Sequence, residues 1–225
     1  MPGDVSKIWK ALVAVPPPAA VAGVPGLHIW RADLAALAPE DAHLASVVDE
    51  TERAEIWRLR QPRDRQRLLL RRGLRRIVLG RYLDLPPALL RFERGLQGQP
   101  RLSGLAFSSS CSGDWLLLAM THGAEIGVDV EEVHECGSTA TLIASCCSRS
   151  EQDRIAALPA AAREVEFLRL WTAKEAVLKL RGTGFDEGVD LPGLLENLRA
   201  GERVVELPAG PQLIASLAVA PLRTA

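Results

Sequence analysis

The chain has 225 residues, 48% of them hydrophobic, and a formal charge of -1 at pH 7, with a mean hydropathy of +0.07 and a pI near 6.4. That length buries a substantial core in one or two domains. The near-neutral balance excludes a chain-wide attraction to nucleic acid or lipid, and no stretch approaches the roughly 20 apolar residues of a membrane span.

Residues 1–26 are interrupted by Pro16-Pro17-Pro18 and Pro25-Gly26 and read as an extended arm, with too short an apolar run for a signal peptide. Leu27 to Ala32 alternates as a first strand. Pro39 to Arg60 reads as one or two helices, broken by Pro62. From about 62 to 84 the spacing predicts one long helix. Its buried stripe is Leu70, Leu74, Ile77, Val78 and Tyr82, and Pro86-Pro87 ends it.

Ten arginines and one acid, Asp64, fall between Arg58 and Arg81. Three readings compete. Arg71, Arg72, Arg75, Arg76 and Arg81 read as a solvated face whose stems cover apolar surface. An RNA footprint is a second reading, opposed by the lack of interleaved aromatics and of any RNA-module motif. Phosphate capture is the third. Arg63 and Arg67 lie four apart on the first turns of the helix, so both forks can aim at one anion. Arg53 and Arg60 are weaker candidates.

Leu89 to Glu93 and Ala106 to Ser110 read as short strands, and Trp115 to Met120 as an apolar one. Gly123 then sits in a turn leading to a strand at 125–131, with hairpin-like spacing. A helix-rich stretch covers 139–182, with an N-cap at Ser148-Arg149-Ser150-Glu151. Two further strands, Arg203 to Leu207 and Leu213 to Ala220, flank Pro208-Ala209-Gly210-Pro211. Cys111, Cys136, Cys146 and Cys147 form no C-x-x-C pair and His28, His43, His122 and His134 are scattered, so reduced thiols of a cytosolic protein are expected, not zinc.

Two stretches carry the chemistry. In GVDVEEV at 127–133, Asp129 and Glu131 are two apart and share one strand face, with Val128 and Val130 on the other. Like charges there need a positive partner, and a hard divalent cation such as Mg²⁺ suits carboxylate oxygen. In WTAKEAVLKLRGTG at 171–184, the residues Phe167, Leu170, Ala173, Val177 and Leu180 set a helical stripe. Glu175 and Lys179 lie side by side on an adjacent face. Alone they read as an ordinary surface ion pair, worth about 0.3–0.5 kcal/mol. Beside the Asp-Val-Glu strand they read as a third acid and a phosphate-binding lysine. Gly182 and Gly184 read as the helix stop.

With these motifs in this order, the chain resembles the Sfp-type phosphopantetheinyl transferases. The likeness runs from about residue 50 to 185. RQPRDRQRLLLRRGLRRIVLGRYLDL at 60–85 is similar to the family's basic helix, and RFERGLQGQPRL and FSSSCSGDW to its two coenzyme A-contacting segments. The resemblance implies an α+β fold of two similar α/β lobes, a pseudo-dimer, each with a small antiparallel sheet and packed helices. The lobes would span 1–124 and 125–225.

The implied reaction is Mg²⁺-dependent, with Mn²⁺ as an alternative. It moves phosphopantetheine from coenzyme A to a serine of an acyl or peptidyl carrier protein and releases adenosine 3′,5′-bisphosphate. By resemblance Asp129, Glu131 and Glu175 are the metal ligands, Glu175 accepts the serine proton directly or through a metal-bound water, and Lys179 binds the pyrophosphate. Arg63, Arg67, Ser110 and Cys111 are expected at coenzyme A. No role falls to Lys174. The resemblance further implies a cytoplasmic monomer that binds neither nucleic acid nor membrane.

The match departs at three places. Cys111 stands where the family has a histidine, Ser108 where asparagine is common, and Gln99 where a lysine is usual. Weaker coenzyme A binding or a compensating arginine is expected. Two other classes stay open: a catalytically weak relative that binds carrier protein or coenzyme A, and a metal-dependent phosphoesterase using the same acids.

Overall fold

A computed structural model describes residues 5–95, 97–133, 139–185 and 188–222. Among the described residues the N-terminal segment is not an extended arm. Helix α1 (Val5–Lys10) and strand β1 (Leu12–Ala14) come first, and β1 pairs antiparallel with β2 (His28–Asp33). Ile8, Leu12, Val15 and Val21 are buried, and removing that apolar surface from water outweighs the breaker residues between them.

Helix α2 (Asp41–Ser46) and helix α3 (Glu50–Arg58) follow, α3 being capped by the Asp49 side chain at the Glu52 amide. Helix α4 (Pro62–Leu83) begins on a proline and ends at Asp84 in the left-handed region. Its stripe Leu70, Leu74, Ile77 and Val78 is buried as the spacing requires. The solvated arginine face is corrected at three positions. Arg76 is fully buried and pairs with Asp49 and Glu52, donating also to the Pro87 and Leu90 carbonyls. Arg75 pairs with Glu52 and Arg72 with Glu55. The acids of α3 lie across α4, and a desolvated guanidinium survives where its donors find acceptors.

Leu89 to Glu93 is not a strand. Pro86-Pro87 open a 3₁₀ turn at Pro87–Leu89, and pairing is confined to the two-residue strands β3 (Glu93–Arg94) and β4 (Pro100–Arg101). Strands β5 (Ala106–Ser112) and β6 (Trp115–Thr121) form a hairpin that completes an antiparallel sheet in the order β1-β2-β6-β5. The hairpin expected across Gly123 does not form. Both edges of β6 are taken by β2 and β5, so β7 (Ala124–Glu132) leaves that sheet.

Helices α5 (Ala140–Cys146), α6 (Arg149–Ala156) and α7 (Ala160–Arg181) come next, then β8 (Arg203–Leu207) and β9 (Leu213–Pro221). The second sheet runs β7-β9-β8, again antiparallel. The Ser148–Glu151 capping box is present, and α7 stops at Gly182 with φ 66°. The molecule is therefore a mixed α+β structure with small antiparallel sheets. One core lies between α4 and the larger sheet, and another joins the two sheets through Ile29, Leu117, Val128, Val130 and Leu217. Cys111, Cys146 and Cys147 are free thiols; Cys136 and His134 lie outside the described residues.

Candidate active site

Strand β5 is the edge of one sheet and β7 the edge of the other. Alternate β5 side chains, Ser108, Ser110 and Ser112, face β7. Ser108 Oγ accepts the Val128 amide and Ser112 Oγ the Glu132 amide, each at 3.0 Å. Hydroxyls thus replace the backbone ladder along this seam. The same strand supplies donors to the acids. Ser110 Oγ donates to Asp129 Oδ1 at 2.6 Å, and Ser112 Oγ donates to Glu131 Oε2 at 2.7 Å.

Helix α7 closes the site from the other side. It packs onto β7 at Gly127, where a Cβ would overlap the Ala176 carbonyl and the Leu180 amide. That approach brings Lys179 Nζ to 2.6 Å from Asp129 Oδ1 and 2.9 Å from Ser110 Oγ. The plain surface ion pair with Glu175 is not formed: Lys179 pairs with Asp129, fifty residues upstream. Trp171, on the same helical face, stacks on Phe185, with ring centroids 5.6 Å apart.

The electrostatics follow from crowded acids in a half-dry seam. Asp129 is 4% exposed. Its Oδ1 takes two donors, while Oδ2 is buried with no hydrogen-bond partner among the described residues. Burial, then the negative charge of Asp129, pushes the Glu175 carboxyl up to about 7. Burial also raises Glu131, opposed by the Ser112 hydroxyl and reinforced by Asp129. Among the described residues no three Asp, Glu, His or Cys side chains already stand in metal-holding geometry. The donor set still fits a hard divalent cation: it is all carboxylate oxygen, it is mutually repulsive, and it includes the orphaned Asp129 Oδ2.

The remaining sequence candidates fall nearby. Arg63 and Arg67 do converge on one anion, and that anion is the protein's own Asp114 carboxylate, held low by the Arg67 hydrogen bond. Ser110 stands with the acids, while Cys111, the next residue along β5, packs on the α4 side. Burial raises the Cys111 thiol. Arg53 donates to the Ala45 and Val48 carbonyls, a structural task. A cavity of about 340 Å³ brings Gln97, Gln99, Pro100 and Phe107 to Glu175 and Lys179.

Sequence reasoning missed two devices. Lys174 is 1% exposed, paired with Glu151 at 2.8 Å and donating to the Leu191 and Pro192 carbonyls, so it ties α7 to α6. Only the Glu151 capping box hinted at a buried acid. The Ser112–Glu131 bond was readable from the serine period at 108, 110 and 112, which puts three hydroxyls on one strand face.

A family model described as the 4′-phosphopantetheinyl transferase superfamily matches residues 125–210. The chain is similar to the 4′-phosphopantetheinyl transferase HetI of Nostoc sp., 31% identical over 164 residues, covering 70% of this chain and 69% of the relative. A 4′-phosphopantetheinyl transferase of Bacillus pumilus is 31% identical over 149 residues, covering 65% and 63%. The L-aminoadipate-semialdehyde dehydrogenase-phosphopantetheinyl transferase of Eremothecium gossypii is 33% identical over 174 residues, covering 68% and 63%. The chain therefore belongs to the 4′-phosphopantetheinyl transferase superfamily, as an enzyme of the Sfp type that transfers phosphopantetheine to carrier proteins.

Proposed function

We propose that the enzyme takes coenzyme A as donor, with Asp129, Glu131 and Glu175 holding Mg²⁺ or Mn²⁺. The observation that carries this reading is the Lys179–Asp129–Ser110 cluster beside a cavity that Lys179 and Glu175 share with the Gly98-Gln99-Pro100 segment. The acceptor is a serine of an acyl or peptidyl carrier protein. Its oxygen bonds to the phosphorus of the phosphopantetheine unit, the bond to adenosine 3′,5′-bisphosphate breaks, and the serine proton passes to Glu175. Glu175 is placed for that role because it lines the same cavity as Lys179. Lys179 turns from Asp129 to the phosphate oxygens and stabilises their developing charge. The bound cation supplies charge neutralisation at the pyrophosphate. Arg63 and Arg67 give up Asp114 for a coenzyme A phosphate, beside Ser110 and Cys111.

The two lobes are read as 1–124 and 125–225. In support, the strands of the larger sheet all end by Thr121 and those of the smaller begin at Ala124. Free thiols among the described residues suit a reducing cytoplasm, and a chain carrying both lobes is read as a monomer. No described helix is long and apolar enough to cross a membrane, and neither lipid nor nucleic acid is assigned as a partner.

Mass spectrometry of an apo carrier domain incubated with the enzyme, coenzyme A and Mg²⁺ tests this directly. The carrier gains one phosphopantetheine. Asp129→Ala and Glu175→Ala each slow labelling by about 10²-fold or more. Labelling at the parent rate by either variant removes that residue from the site. Coenzyme A cleavage without labelling means that water is the acceptor and the protein is a phosphoesterase, and an unlabelled carrier that still binds means a docking protein.

A further inference from the structure

Along the seam between β5 and β7 the serines and the acids share a period of two. Ser110 meets Asp129 and Ser112 meets Glu131, each pair 19 residues apart in the chain. A serine hydroxyl has one proton to give, and its other contacts decide where that proton points. Ser112 Oγ accepts the Glu132 amide at 3.0 Å and donates to Glu131 Oε2 at 2.7 Å. Ser110 Oγ accepts from Lys179 Nζ at 2.9 Å and donates to Asp129 Oδ1 at 2.6 Å. The same device is built twice: a nitrogen donor occupies the hydroxyl lone pair, and the proton falls on one oxygen of a carboxylate.

The consequence lies in which oxygens stay available. Asp129 Oδ1 carries Ser110 and Lys179, while Oδ2 has no partner among the described residues. Glu131 Oε2 carries Ser112. A carboxylate with one oxygen committed to a short hydrogen bond offers a cation the other oxygen alone. Single oxygens suit Mg²⁺, which demands a compact octahedron and keeps places for water and phosphate. Ca²⁺ takes about six to eight oxygens at longer range and readily uses both oxygens of one carboxylate. The arrangement is also stiff, since Ser110 is 9% exposed and Asp129 4%.

We propose that Ser110 and Ser112 are positioning residues that set metal specificity: they hold Asp129 and Glu131 to one-oxygen binding and so favour Mg²⁺ against Ca²⁺. The inference rests on the metal reading given above. Titration of the full chain with magnesium chloride alone and with calcium chloride alone, read as melting temperature against ion concentration, gives two dissociation constants and their ratio. Ser112→Ala frees Glu131 Oε2, and the ratio moves toward Ca²⁺ by about threefold to tenfold, the worth of one hydrogen bond. Ser110→Ala moves it the same way. Ser112→Thr keeps the hydroxyl and keeps the parent ratio. A general loss of stability weakens both ions together and leaves the ratio alone, and the ion-free melting temperature of each variant reports that loss separately. A ratio unchanged in either alanine variant overturns the proposal for that serine, whether both ions weaken equally or neither does. A Ser112→Thr protein that behaves like Ser112→Ala overturns it as well. A parent whose melting temperature neither ion raises overturns the metal reading itself, an outcome distinct from the others.

Discussion

Asp129 accepts from Ser110 and Lys179 through one oxygen and leaves the other buried without a partner. An orphaned buried acceptor costs about 1–3 kcal/mol, so the site is held short of its best internal solution. Glu175 carries the same tension in its titration. Its carboxyl is pushed up from 4.5 to about 7 by burial and by Asp129. The folded chain therefore holds a proton that the unfolded chain has lost between those two values. The stability from that proton is fully present below about 4.5 and disappears as the pH rises through about 7. Metal-free protein should melt at a lower temperature at pH 8 than at pH 5.5. Glu175→Gln should flatten that slope, and Mg²⁺ should restore more stability at pH 8 than at pH 5.5. A slope unchanged in Glu175→Gln would show that the carboxyl is not under this strain.

Gly127 governs how closely α7 and β7 approach, and therefore how Lys179 reaches Asp129. Both obstacles to an added methyl are backbone atoms of α7, which cannot rotate aside. Gly127→Ala should destabilise by about 1–3 kcal/mol, the usual range for overpacking, and should also lower transfer, because it pries the helix carrying Glu175 and Lys179 off the strand carrying Asp129 and Glu131. A variant with parent melting temperature and parent rate would mean that the seam is slack. Much at this scale was legible in the sequence. The period of two at 127–131 and the period of three and four at 167–180 each depend on a residue's own neighbours. The burial of Arg76 and the Lys174–Glu151 pair were not legible, since each needs an acid from an element whose packing direction no local pattern states. β1 was hidden for a related reason: three prolines follow it, and only its pairing with β2 and the burial of Ile8 and Leu12 make it a strand.

At the scale of the molecule, the division near residue 124 separates the two sheets but does not separate their cores. Val15, Ile29 and Leu117 from one side pack with Val128, Leu207 and Leu217 from the other. Serine hydroxyls of β5 satisfy amides of β7, and Arg31 of β2 donates to the Ala209 carbonyl beyond β8. Pulling the halves apart would expose that shared apolar surface and leave the Val128 and Glu132 amides unpaired by the chain, so neither half is expected to persist alone. Thermal unfolding should be one cooperative transition. Four tryptophans, Trp9, Trp30, Trp57 and Trp115, report on the first half and Trp171 on the second. A protein keeping Trp171 as its sole indole, with the others changed to Phe, and the converse Trp171→Phe variant separate the two signals. The change from each variant's midpoint by helix circular dichroism to its midpoint by fluorescence should be zero within error in both. Two resolved midpoints in either variant would mean that the interface behaves as a contact between independent domains, and that the site, which lies along it, can open without either half unfolding.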